Sequence, residues 1–316
     1  MGKILVFGSS NADMILKTVN IPQKGETVRC EDYKNAAGGK GANQACACAK
    51  LGADTVFLSA VGSDQFADMV LCSLRAAGTD VSRVLKSASQ STGFAVINVD
   101  SVGENTIVVV PGANQLCTEE YISENLAAIA DADICLVQLE LPGKSVYEFI
   151  RQAKLCGKTV IFNPAPASKD IPDDIYDGLD YITPNETEIA QITGMAAESE
   201  AEIAAAAERL LEKGVKNVIV TIGSKGVIHV SSEGVRRYPA YKVKSVDTTA
   251  AGDTFNAGLA VALLEGKGLQ DAISFGNAAA GISVTRNGAQ PSIPSREEVD
   301  GFIKNQYILT IHRERR

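Results

Sequence analysis

In the segment Asp247-Thr248-Thr249-Ala250-Ala251-Gly252-Asp253-Thr254-Phe255-Asn256-Ala257-Gly258, small residues stop at an acid that opens an apolar, helix-like run. Ala250-Ala251-Gly252 is backbone that a ligand can approach closely. The helix start that follows offers free N–H groups and the positive end of a dipole, a setting suited to an anion. A carboxylate placed there, Asp253, can take a proton from an attacking hydroxyl while the neighbouring amides hold the charge of a transferring phosphoryl group. The same acid can equally cap or charge the first helical turn.

Other segments carry groups of the same kind. Gly38-Gly39-Lys40-Gly41-Ala42-Asn43-Gln44 precedes an Ala and Cys stripe. Its small residues around polar amides suggest a helix start that a small polyol touches directly, or a tight turn. It lacks the P-loop spacing, and no GxGxxG follows a strand. Gly8-Ser9-Ser10-Asn11-Ala12-Asp13 follows the first strand, so Asn11 and Asp13 share one side and could grip vicinal hydroxyls, or form an Asx turn. Glu140 closes another apolar strand and could serve as a ligand or as a helix cap. Asn185 and Glu188, three apart at a helix start, could hold a hydrated Mg²⁺ or form a capping box. Thr221-Ile222-Gly223-Ser224-Lys225-Gly226 joins two strands with two glycines and a lysine, which suits a polyphosphate or an ordinary hairpin.

These residues need a scaffold that brings strand ends together. From about residue 130, short β-branched runs alternate with Ala-rich helical stretches. Runs at 134–137, 159–162 and 181–183 are separated by helical patterns such as 145–155, and another follows at 200–211. The alternation predicts an α/β fold with a largely parallel central sheet flanked by helices on both faces. Residues 218–221 and 226–230 lack a helix between them and predict a hairpin at one sheet edge; three helices follow, at about 253–265, 269–285 and 295–306. Strand-like material without helices at 14–33 and 92–110, with Gly103 in a turn, predicts a small β lid. The remaining stretches, 1–13, 34–91 and 111–316, would make one core domain. Open sheets of this kind bind ligands beyond the carboxyl ends of their strands, where the segments above fall.

A chain of 316 residues buries enough surface to fold without disulfides or structural metal. Its seven cysteines include no CxxC pair, and it has only two histidines, His229 and His312; a reducing cytoplasm fits this usage. A net charge of −8 and the absence of Trp argue against nucleic acid as a partner, and no apolar run reaches membrane-spanning length. The basic end His312-Arg313-Glu314-Arg315-Arg316 reads as a solvated, frayed tail.

Taken together, the segments resemble the ribokinase-like family of carbohydrate kinases over residues 3–305. The likeness is carried by Asn11-Ala12-Asp13, the runs 38–44 and 185–188, and above all 247–258. The resemblance implies ATP-dependent phosphorylation of D-ribose at its 5-hydroxyl. By that analogy Asn11, Ala12, Asp13, Gly39, Lys40, Gly41, Ala42, Asn43 and Glu140 contact the sugar, and Asp253 is the base beside an anion hole of Ala250, Ala251 and Gly252. Asn185, Thr221, Ile222, Gly223, Ser224, Lys225, Gly226, Gly252 and Asn277 would line the nucleotide site, with Glu188 positioning Mg²⁺ through water. Asp247, Thr249, Ser283, Arg286, Gly288 and Ser292 would surround a monovalent cation such as K⁺. A different acceptor, 2-deoxyribose or a nucleoside, and a non-catalytic sugar sensor are the alternatives. The sensor would require loss of Asp253 or of the phosphate loop, and a nucleoside would need an aromatic platform that this chain scarcely offers. An exposed lid edge suggests a lid-to-lid homodimer. Residues 307–316 match no element of the resemblance, and Cys46 and Cys48 stand where the helix would accept Ala.

Overall fold

A computed structural model describes residues 2–102 and 104–314; Gly103, expected in a turn, and the basic Arg315 and Arg316 lie outside the described residues. The chain opens with β1 (Lys3–Phe7) and passes within three residues to β2 (Asn11–Thr18) and then β3 (Cys30–Gly38). Helix α1 (Lys40–Lys50), β4 (Asp54–Leu58), β5 (Ala60–Gly62), α2 (Gln65–Ala77) and β6 (Leu85–Ser87) follow. Next come β7 (Gly93–Val99) and β8 (Asn105–Val110), a 3₁₀ turn at Gly112–Leu116, and the short helices α3 (Glu119–Glu124) and α4 (Leu126–Asp131). The alternating region contains β9 (Ile134–Gln138), α5 (Gly143–Leu155), β10 (Thr159–Asn163), α6 (Asp173–Tyr176), β11 (Tyr181–Ile182), α7 (Glu186–Thr193), α8 (Glu200–Glu212) and β12 (Asn217–Thr221). Strands β13 (Val227–Ser231) and β14 (Gly234–Tyr238) precede the closing helices α9 (Ala251–Leu264), α10 (Leu269–Ser283) and α11 (Arg296–Glu314).

The main sheet has the order β14-β13-β12-β11-β10-β9-β1-β4. The strands from β4 to β12 pair in parallel, and β13 and β14 extend the edge antiparallel. The edge therefore carries one strand more than the predicted hairpin. Ile4-Leu5-Val6-Phe7 is buried without a polar break, as a strand covered on both faces must be. Because successive side chains alternate, Leu5, Phe7, Cys135, Val137, Val160 and Phe162 enter one core with α3–α8. Ile4, Val6, Ile134, Leu136 and Ile161 enter the other, with α1, α2, α9 and α10. Helix α9 is buried nearly all round, and Gly258 faces the backbone of Gly276 so closely that a β-carbon would lie 2.8 Å from its Cα. This contact lets α10 press α9 onto the sheet.

From β1 the chain reaches β4 on one side and β9 on the other, so a crevice opens at the carboxyl end of β1. Over it stands a separate four-stranded sheet in the order β3-β2-β7-β8. It takes in more chain than the spans 14–33 and 92–110. The link after β1 is too short to form anything but a turn, so β2 begins at Asn11, and β3 runs to Gly38 to pair with it. The last helix likewise passes the expected end near 306 and runs to Glu314. Among the described residues no helix is long and apolar enough to cross a membrane.

Candidate active site

Asp253 sits in the first turn of α9, fully inside the crevice, but it does not cap that helix. The cap position is Ala250, at φ 59° and ψ 14°, the left-handed region that costs a residue with a β-carbon about 1 kcal/mol. That turn lets the amide of Ala251 bond Thr248 O at 3.2 Å and the amide of Thr254 bond Ala250 O at 2.9 Å. The intervening amides of Gly252 and Asp253 are left for a ligand. The carboxylate of Asp253 is held instead from α1: Asn43 Nδ2 donates to Oδ2 at 3.0 Å and Gln44 Nε2 to Oδ1 at 3.0 Å.

Helix α1 reaches this position because its start has no side chains in the way. Gly39 bends the chain at φ 89°, and a β-carbon on Gly41 would lie 2.4 Å from Gly8 backbone. Glu140 Oε2 then accepts from the amide of Lys40 at 2.9 Å and from Ser9 Oγ at 2.6 Å. One of its oxygens thus caps α1, as the plainer reading expected, and the other has no such duty. On β2, Asn11 and Asp13 lie on the same face, above glycines of the two neighbouring strands. A β-carbon on Gly38 would meet Asp13 Oδ2 at 2.1 Å, and one on Gly93 would meet Asn11 Oδ1 at 2.4 Å. The glycines make the hollow in which these two side chains rest.

Acids converge on this hollow. Burial first, and then the charges of Glu140 and Asp253, push the Asp13 carboxyl up to about 7. Burial also raises Asp253, against the pull of Lys40 and the hydrogen bonds from Asn43 and Gln44, while Glu140 adds to the rise. For Lys40 burial acts against the charge, yet the carboxylates of Asp253, Glu140 and Glu188 outweigh it and hold the ammonium above its ordinary pKa. A buried base with a raised pKa, facing a lysine that stays charged, suits removal of a hydroxyl proton near neutral pH.

Beyond Asp253 a cleft continues along Lys40, Asn163, Ala165, Thr183, Asn185, Glu188, Thr221, Thr248, Ala250, Ala251, Gly252 and Asn256. Asn185 and Glu188 do form a capping box, with Glu188 Oε2 accepting from Asn185 N at 2.8 Å and Asn185 Oδ1 accepting from Glu188 N at 2.8 Å. Glu188 keeps its other oxygen, and burial raises its carboxyl although Asn185 and Lys40 pull the other way. Of residues 221–226 only Thr221, the last of β12, lines the cleft. Gly223, Ser224 and Lys225 form an exposed 3₁₀ turn, whereas Ile222 is buried in the core. Gly226 is required by packing, since a β-carbon would lie 2.1 Å from Tyr238 O. Ile222 therefore has no side chain to offer a nucleotide. Asn277 is buried in α10 and is not among the cleft-lining residues. A larger depression at the opposite end of the strands, between Gly2, Asp133, Tyr181 and Leu264, brings together no comparable set of polar groups.

Next to the α9 turn, Asp247 accepts from Thr249 N (2.9 Å), Thr249 Oγ1 (2.6 Å) and Gly288 N (2.8 Å). Burial raises its carboxyl, but these bonds outweigh it and hold Asp247 below the usual range, so it is ionised near neutral pH. Ser283 and Ser292 donate to the carbonyls of Ala280 and Ala289, and Arg286 pairs with Glu298. The Arg286 side chain is therefore committed elsewhere. Asn114, Gln138 and Asn163 stand in no motif of the sequence, and Gln44 is only the end of the glycine run. They are single buried amides distant in the chain, and only folding brings them beside Asp253 and Asn11.

A buried base at a helix start with free amides, a polar hollow on one side and a longer cleft on the other, defines a small-molecule phosphotransferase on an open α/β sheet. The model of the pfkB family carbohydrate kinases matches residues 1–296, and the chain belongs to that family. It is 42% identical to a ribokinase of Haemophilus influenzae, covering 96% of this chain and 98% of that one. It is 35% identical to a deoxyribokinase of Salmonella typhimurium, over 95% and 98% of the two chains. The structure of Arabidopsis thaliana ribokinase complexed with ribose and ATP superposes with a TM-score of 0.91 at 34% identity, covering 96% of this chain and 99% of that one.

Proposed function

We propose that this chain transfers the γ-phosphoryl group of ATP to O5 of D-ribose, giving D-ribose 5-phosphate and ADP. The observation that carries the reading is the placement of Asp253 between the polar hollow at Asn11 and Asp13 and the open amides of Gly252 and Asp253. Ribokinases among the relatives, and the ribose and ATP in the Arabidopsis complex, support the choice of acceptor and donor.

Asp253 removes the proton of the primary hydroxyl as its oxygen attacks, and the first-turn amides of α9 hold the charge that spreads over the transferring group. Asn11, Asp13, Asn43 and Glu140 orient the sugar hydroxyls. Lys40 stays charged beside the acids and faces the transferring phosphoryl group. The free oxygen of Glu188 fits a Mg²⁺ held through water, which when bound neutralises phosphate charge. The ionised Asp247, tied to Gly288, would hold a weakly hydrated K⁺, which when bound would steady the turn before Asp253. The small sheet acts as the lid, excluding water from the attacking hydroxyl. The seven cysteines are all free, in keeping with a reducing cytoplasm. Exposed Ile107, Val108 and Val109 on the outer strand β8 support a homodimer formed lid to lid. The deoxyribokinase relative keeps 2-deoxyribose open as an acceptor.

ATP consumption against a panel of pentoses, hexoses and nucleosides, in K⁺ and again in Na⁺, tests the reading. Ribose is expected to give the highest turnover, and K⁺ to exceed Na⁺. Asp253→Asn is expected to lose about 10³-fold in kcat with sugar affinity nearly kept. Absence of ribose-dependent turnover in either salt would sink the assignment, and substantial turnover by the variant would remove Asp253 from its role.

A further inference from the structure

Beside Asp253, from the buried end of β9 to the wall of the cleft, four amide side chains and Thr183 form a continuous relay. Gln138, at the end of β9, donates from Nε2 to Gln44 Oε1 at 2.5 Å. Gln44 Nε2 donates both to Asp253 Oδ1 at 3.0 Å and to Asn163 Oδ1 at 3.2 Å. Asn163 Nδ2 donates to Thr183 O at 2.9 Å, Thr183 Oγ1 donates to Asn256 Oδ1 at 2.6 Å, and Asn256 Nδ2 returns to Gly252 O at 2.9 Å. Gln44 and Gln138 are wholly buried.

The direction of the relay is forced. A backbone carbonyl only accepts, so Thr183 O fixes Asn163 with its oxygen toward Gln44. Gln44 must then turn both amide hydrogens to Asn163 and Asp253, which leaves its oxygen facing Gln138, and Gln138 must donate. The arrangement leaves Gln138 Oε1 without a partner while fully enclosed, above Gly8, where a β-carbon would lie only 2.0 Å away. A residue present only to fill space would not leave a buried acceptor unpaired when Leu or Met has a similar volume.

We propose that Gln138 and Gln44 are positioning residues for phosphoryl transfer: Gln138 holds Gln44 so that a donor, never an acceptor, lies against Asp253 Oδ1. Neither touches substrate. The inference rests on Asp253 being the base. The other groups facing that carboxylate are Asn43, Lys40, Glu140, Asp13 and Glu188, and none of them hydrogen-bonds the side chain of Gln44 or Gln138.

The test is the pH profile of kcat and of ribose KM for Gln44→Met, Gln138→Met and Gln138→Glu, with the wild type and Asp253→Asn alongside. Loss of the donor favours the protonated acid, so the acidic limb of kcat is expected to move up, by about one pH unit in Gln44→Met and less in Gln138→Met. Turnover at the optimum falls on the order of tenfold or more, with ribose KM within about threefold. Gln138→Glu is the sharper probe. While protonated, its O–H can still donate to Gln44 and activity is retained; once ionised it can only accept, Gln44 is drawn away from Asp253, and an alkaline fall absent from the wild type appears. A uniform loss at every pH with the acidic limb unmoved, or a wild-type profile in all three variants, overturns the proposal. If Gln44→Met does not fold, as judged by its melting curve, the near-isosteric Gln138→Glu decides alone: its alkaline fall upholds the proposal and a wild-type profile overturns it. An active Asp253→Asn would instead overturn the assignment of the base, an outcome separate from an unmoved limb with Asp253→Asn inactive.

Discussion

Asn114 donates from Nδ2 to Oδ1 of Asn11 at 2.8 Å and so decides which end of the Asn11 amide is free to meet a ligand. It is itself locked against the backbone of Ser10, whose N–H it accepts at 2.9 Å and whose carbonyl it reaches at 3.2 Å. Asn114→Ala should therefore release Asn11 and weaken ribose binding by about tenfold, near 1.4 kcal/mol, while ATP affinity is unchanged. Calorimetric titration with each ligand checks this. Equal ribose affinity in variant and wild type would show that Asn11 needs no such support.

Asp13 gives a pH prediction. Its folded pKa of about 7 lies above the ordinary 3.8, so the folded state holds its proton longer than the unfolded chain does. Stability of the ligand-free protein therefore falls as pH rises through the window from about 4 to 7. Asp13→Asn removes that penalty, and the variant should melt at least about 2 °C above the wild type at pH 8, with the gap closing near pH 4. Ribose affinity should move the opposite way: it improves in the wild type as Asp13 ionises, and loses that pH dependence in the variant. A variant that melts at or below the wild type at pH 8 would contradict the burial of charge described above.

Gly41→Ala should cost about 1–3 kcal/mol of stability, because the added carbon must displace backbone at Gly8 rather than a flexible side chain. The displacement lifts the first turn of α1, which carries Asn43 and Gln44, so kcat should fall as well. Denaturant unfolding and turnover are the measurements. The open position Gly252, where a β-carbon meets nothing within 4 Å, serves as the contrast: its Ala variant should unfold like the wild type.

Val108→Lys places a charge in the exposed apolar run of β8 and should convert the proposed dimer to monomer at micromolar concentration. Light scattering gives the mass directly. An unchanged dimer would move the interface away from the lid.

The parallel core was legible because strands buried on both faces and Ala-rich helices leave strong local signals, as in residues 4–7 and 200–211. The boundaries of the small sheet were not, since Asn11 becomes a strand residue only by pairing with Gly38 and Gly93, and Gly38 only by pairing with Asn11. Within the site, Asp253, Asn43 and the Asn185–Glu188 pair announce themselves by neighbours in sequence. The amides of Gln138, Asn163 and Asn114 carry no local mark and acquire a function from a contact some hundred positions away. Cys46 shows the converse. It stands out in the sequence, yet burial pushes its thiol up to about 11 against the weaker pull of Lys50, which leaves it an unreactive packing group.

Strand β2 belongs to two assemblies at once. Its first residues, Asn11 to Asp13, hold the hollow, and the same strand continues to Thr18 as the spine of the small sheet. At about 3.3 Å per residue it spans some 23 Å, with its first residues at the hollow. The hollow and the far end of the small sheet are thus joined by one unbroken strand.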